Sequence, residues 1–165
     1  MPWIEVHPAA PENERALATL ENAAWALEVR ARPRMAVDEA FFGPHRQPHD
    51  VLVAVEEPEG VILGHVDLDR QFPVPSNAHV IRLLGLLVSP AARGQGIGAK
   101  LLAAAVEEAR VRGARKVEVR ALSTNATAID LYERAGFVEE ARFRDEFALV
   151  DGRLVDDVWF SRWIA

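Results

Sequence analysis

Cysteine is absent from the 165 residues, which excludes disulfides, thiolate metal sites and an acyl-cysteine intermediate. Tyrosine occurs once, at Tyr132. No apolar run approaches the roughly 20 residues that a membrane-spanning helix needs, and Met1-Pro-Trp-Ile-Glu5 carries no signal-peptide pattern. Positive charge is not in excess. The 19 Lys and Arg face 25 Asp and Glu, a formal charge of −6, which argues against nucleic acid as the main partner. The histidines at 7, 45, 49, 65 and 79 show no metal-ligand spacing. No metal is therefore expected, and no repeat, low-complexity tract or linker is evident. With half its residues apolar and 27% charged, the chain reads as one soluble domain, expected in the cytoplasm and off the membrane.

The most informative stretch begins at Val80. Val80 to Val88 is almost continuously apolar, as suits a central strand buried on both faces. After Ser89-Pro-Ala-Ala92 comes Arg93-Gly-Gln-Gly-Ile-Gly98, then a helical pattern to about Arg112 with Leu102, Ala105, Val106 and Ala109 on one face. A helix start presents unpaired N–H groups and attracts anions, and glycines let a ligand approach the backbone closely. The segment reads as strand, phosphate loop, helix. It fails the P-loop pattern, because Ala99 precedes Lys100 and Leu101 follows it. It matches the looser dinucleotide pattern through Gly94, Gly96 and Ala99, but Ser89 to Arg93 separate those glycines from the strand and no second βαβ half follows.

Arg93-Gly-Gln-Gly-Ile-Gly98 after a hydrophobic strand resembles the acetyl-CoA motif of the GNAT superfamily of N-acetyltransferases. The resemblance continues through Val117-Glu-Val-Arg-Ala121 and Asn125-Ala-Thr-Ala-Ile-Asp-Leu-Tyr-Glu-Arg-Ala-Gly-Phe137, similar to the family's next strand and helix. It implies an α/β (α+β) single domain over residues 1–165, with a mixed, mostly antiparallel sheet and helices on both faces.

The flanking segments fit that order. Trp3–Val6 reads as a strand, and Glu12 to about Glu28 as a helix with Ala16, Leu20, Ala23 and Leu27 on its apolar face, widened by Leu17 and Ala24. Arg30 to Asp50 is rich in proline and cations and reads as a connector with a short helix over Val37 to Phe42. It is either solvated or a lid that helps choose the acceptor. Val51–Glu56 and Val61–Leu68 form a hairpin; His65 within it reads as a surface or core histidine. Asp151-Gly152 joins Glu139–Val150 to Leu154–Ile164 in a last hairpin, whose edge strand could support a homodimer.

Transfer of an acetyl group to an amine needs a free amine, a donor for the developing oxyanion and an acid for the departing thiolate. Without cysteine, direct attack in a ternary complex is the economical route. The resemblance places the thioester carbonyl on backbone N–H of Leu86, Leu87 and Val88. The pyrophosphate then falls on Arg93, Gly94, Gln95, Gly96, Ile97, Gly98 and Ala99, and the pantetheine arm on Asn125. On the residues alone, Tyr132 reads as a core aromatic of a helix with Ala128, Leu131 and Ala135; the resemblance, in register with Asn125 and Gly136-Phe137, makes it the general acid instead. Glu118, on the strand where some relatives carry a glutamate, is the candidate base, with a cross-strand ion pair or a water chain as the other options. The expected activity is acetyl-CoA-dependent acetylation of a primary amine, on a small molecule or a protein. A noncatalytic acyl-CoA-binding or sensing module is the alternative.

Overall fold

A computed structural model of the chain describes residues 1–164. Strands β1 (Trp3–Pro8), β2 (Val51–Glu57), β3 (Val61–Asp69), β4 (Val80–Val88), β5 (Lys116–Leu122), β6 (Val138–Ala148) and β7 (Leu154–Trp163) form one sheet in the order β1-β2-β3-β4-β5-β7-β6. Every neighbouring pair is antiparallel except β4 and β5, which run parallel. That connection needs a crossover, and α2 (Ile97–Val111) supplies it. The remaining helices are α1 (Glu14–Ala24) and α3 (Ala126–Arg134).

Alternation along β2 shows how the helices divide between the two faces. Leu52 and Ala54 join the main core, with Leu101, Leu102 and Ala105 of α2 and Tyr132 of α3. Val51, Val53 and Val55 pack on the other face with Leu17 of α1 and with Phe41. The expected stripe of α2, Leu102, Ala105, Val106 and Ala109, is fully buried.

Two sequence expectations fail in the first third of the chain. Helix α1 ends at Ala24, not near Glu28, because Trp25 turns to an extended conformation at ψ 131° and its indole donates to Arg32 O at 2.8 Å. Its buried stripe is Leu17, Leu20 and Ala24, whereas Ala16 and Ala23 are exposed. Residues 37–42 are not helical. There the chain gives its N–H groups at Phe41 and Phe42 to the carboxylate of Glu14 instead of to a helix. Residues 25–50 thus form an irregular strap across the α1 face, its far side tied down where Thr124 Oγ1 donates to Glu28 O at 2.6 Å.

Candidate active site

The site begins where the parallel pair separates. Strand β4 pairs with β5 from Val80↔Lys116 to Leu83↔Val119 and no further. On its other edge β4 carries a bulge, since His65 pairs with Leu87 but Asp67 with Leu84. The extra residue inverts the side-chain alternation. Ile81 and Leu83 point into the α2-side core before it; Leu86 and Val88 pack against that core after it, while Leu87 turns to Leu20 and Ala24 of α1. Gly85 holds the bulge at φ +63°, and a Cβ there would stand 3.4 Å from Asp67 Oδ2. Beyond Leu83 the β4 edge facing β5 has no strand partner.

A cleft of about 1680 Å³ occupies this gap, more than the roughly 300–1,000 Å³ of an ordinary ligand pocket. On the α2 face its rim is the glycine loop. Gly94 and Gly96 both take φ +77°, and Gly96 is the N-cap of α2. A Cβ on either would meet nothing within 4 Å, so this backbone faces open space. The first helical bond runs from Lys100 N to Gly96 O at 3.1 Å, which leaves the N–H groups before it free for an anion.

Of the residues singled out in the sequence, Leu86, Leu87, Val88, Arg93, Gly94, Gly96, Ile97, Gly98, Ala99, Asn125 and Tyr132 line the cleft. Gln95 is exposed and is not on its wall. Asn125 caps α3, its side chain accepting from Ala128 N at 3.2 Å, so its amide N–H₂ remains for a ligand. Tyr132 is only 5% exposed and packs between the rings of Phe137 and Phe160, yet it lines the cleft. Burial raises its pKa to about 12, against the opposing pull of Arg30.

Glu118 is not brought to the cleft. Its carboxylate is paired with Arg82 at 3.1 Å and with Lys116 at 3.3 Å, on the face opposite Val117 and Val119. This is the cross-strand ion pair that the sequence left as the other option for Glu118.

The α1 side of the cleft holds a cluster that sequence reading missed. His65, fully buried, places Nδ1 3.1 Å from Asp67 Oδ1 and Nε2 3.1 Å from Glu21 Oε1. Arg46 Nε reaches Asp67 Oδ2 at 2.8 Å, and Arg30 Nη2 reaches Glu21 Oε2 at 3.2 Å. The ring of Phe41 seals His65 edge-on, with the Arg46 guanidinium 4.2 Å above its centre. Burial would raise the Glu21 pKa, but the His65 bond and the charges of Arg30, His65 and Arg46 bring it down to about 2. Burial would lower that of His65; its bonds to Asp67 and Glu21 raise it above the ordinary 6.5. Two signals were available in the sequence. His65 and Asp67 share a strand face, and Glu21 sits one turn beyond Leu17 on the buried side of α1.

The sheet thus splits between two parallel strands, with the N–H groups of a helix start free at one rim of the gap. The chain belongs to the acetyltransferase (GNAT) family, whose model matches residues 15–137. It is 31% identical to the aminoglycoside N(6')-acetyltransferase type 1 of Klebsiella aerogenes over 141 residues, 79% of this chain and 91% of that one. It is 29% identical to the uncharacterized N-acetyltransferase YhfO of Bacillus subtilis, over 85% of this chain and 93% of that one. Among solved structures, yncA of Salmonella typhimurium, determined with its cofactor acetyl-CoA, superposes with a TM-score of 0.78 at 19% identity, covering 99% and 95% of the two chains. The chain is an acyltransferase of this family.

Proposed function

We propose that the protein transfers the acetyl group of acetyl-CoA to a primary amine by direct attack within a ternary complex. The observation that carries this reading is the unpaired β4 edge after Leu83, lying in one cleft with the glycine-rich start of α2 and with Tyr132. Backbone N–H groups of residues 93–99 fit the pyrophosphate, and the open space before Gly94 and Gly96 leaves room for it. The β4 edge at Leu86, Leu87 and Val88 offers hydrogen bonds to the pantetheine arm and the thioester oxygen, and Asn125 adds its free amide N–H₂.

The amine nitrogen attacks the thioester carbon, the carbon–sulfur bond breaks, the sulfur takes a proton from the Tyr132 hydroxyl, and the phenolate regains one from the nitrogen as it becomes an amide. A phenol held near pKa 12 stays protonated at neutral pH and serves as donor, not base. The ammonium proton leaves through water in the cleft, since Glu118 is committed to Arg82 and Lys116 and Glu21 is too acidic to accept it. One relative is named as an aminoglycoside N(6')-acetyltransferase, whose acceptor is an amine.

The test is a melting curve paired with a thiol-release assay. Saturating acetyl-CoA raises the melting temperature, by about 2.7 kcal/mol of stabilisation at a hundredfold excess over Kd, and NAD does not. Thiol release across a panel of amines then separates a transferase from a module that only binds acyl-CoA.

A further inference from the structure

Arg30, Glu21, His65, Asp67 and Arg46 form a chain of alternating charge that runs from the strap through α1 and β3 and back to the strap. A neutral imidazole has one donor nitrogen and one acceptor. Both nitrogens of His65 stand 3.1 Å from a carboxylate oxygen, and only the imidazolium can donate to both. The chain therefore holds three cations and two anions. Such a surplus is unusual where side chains are this sheltered: His65 is fully covered, and the other four side chains are between 9% and 25% exposed. Buried charges are paired, and here the missing partner is negative.

Among the described residues no further carboxylate pairs with Arg30 or Arg46: Glu14, beside Phe41, is spent on the N–H groups of Phe41 and Phe42, and Asp50 on Arg112. Arg32 is matched by Glu39 and Arg120 by Asp157, while Arg34 bonds only to Asn22 O and lies over the Trp25 ring. Arg30 also keeps a buried Nε with no partner among the described residues. The glycine loop suited to the pyrophosphate is on the other face of the sheet, so the surplus is not explained by CoA. Nor is it a general surface effect, because the whole chain carries −6. Arg30, Arg46, Glu21 and Asp67 all line the cleft.

Building on the acetyltransfer reading, we propose that the acceptor amine carries an anionic oxygen group, a carboxylate or a phosphonate. The guanidinium groups of Arg30 and Arg46 receive it on the α1 side of the cleft. A guanidinium fork suits such oxyanions, and each arginine is already anchored on one side by a carboxylate that fixes its orientation. Glu21, His65 and Asp67 act as positioning residues beneath them.

The test compares amines of equal length with and without the anion, such as an aminoalkyl carboxylate, an aminoalkylphosphonate and the plain alkylamine, with a linear polyamine as the cationic extreme. The anionic amines should exceed the plain amine in kcat/KM by roughly tenfold or more, mostly through KM. The carboxylate and phosphonate arms show which oxyanion is favoured. Arg30→Gln and Arg46→Gln should bring the ratio toward one, and Arg46→Lys should keep part of it, with melting curves run on each variant to confirm folding. A preference for the plain amine or the polyamine, or a ratio that survives both Gln substitutions, would overturn the inference and leave acetyl transfer standing. Turnover of no amine, with no stabilisation by acetyl-CoA, would overturn acetyl transfer itself.

Discussion

Tyr132 and Glu118 both entered as candidates for proton transfer, and their surroundings give them opposite fates. Tyr132→Phe keeps the contacts with Phe137 and Phe160 and removes a donor at the cleft. It should lower kcat by about ten- to a thousandfold with little change in acetyl-CoA affinity. Glu118→Gln should leave kcat/KM within about threefold of the wild type and trim stability slightly, as for a partly exposed ion pair. Steady-state kinetics on the two variants checks both; a large loss in Glu118→Gln would return the base to that residue. The place of Tyr132 on the cleft wall was legible because its register with Asn125 and Gly136-Phe137 is local. Of the cluster only the shared face of His65 and Asp67 is a local signal; Glu21 lies 44 residues from His65, and no periodicity reports a contact at that distance.

At the scale of elements, the β4–loop–α2 unit was the easiest to read. An apolar strand, glycines and a 3.6-residue stripe are features of consecutive residues, and the structure reproduces each of them. The end of α1 was not readable, since the helical pattern runs on to Leu27 and only a tertiary bond from the Trp25 indole stops it. Leu27 instead packs against the small core of Leu122, Leu149 and Val155. The bulge in β4 was also invisible, because an apolar strand shows no alternation to interrupt. Gly96→Val tests the loop. At φ +77° a β-branched residue costs about 1–3 kcal/mol of strain. With nothing near the Cβ position, the fold should survive. Acetyl-CoA binding, measured by calorimetry, should weaken by at least about tenfold as the side chain occupies the anion's place. Equal losses of stability and affinity would make the glycine structural only.

For the molecule as a whole, the buried cluster ties stability to pH. The raised pKa of His65 contributes stability that is full below 6.5 and fades as pH climbs through the folded-state value. The lowered pKa of Glu21 contributes stability that is full above 4.5 and fades as pH falls toward about 2. Both contributions are complete only between those limits. Thermal melts of the wild type and of His65→Gln should therefore differ most near pH 5 to 6 and converge in alkaline buffer. A gap that held constant up to pH 9 would show that His65 does not titrate in this range.

The gap between β4 and β5 opens on both faces of the sheet, and this splits recognition along the polypeptide as well as in space. The glycine loop, Asn125 and Tyr132 come from residues 93–132, whereas the strap, Glu21, His65 and Asp67 come from residues 21–67. The two sets meet at the short exposed edge of β4. On the proposed reading, substitutions within residues 21–67 change the amine accepted, whereas those within residues 93–132 change the grip on the acyl donor.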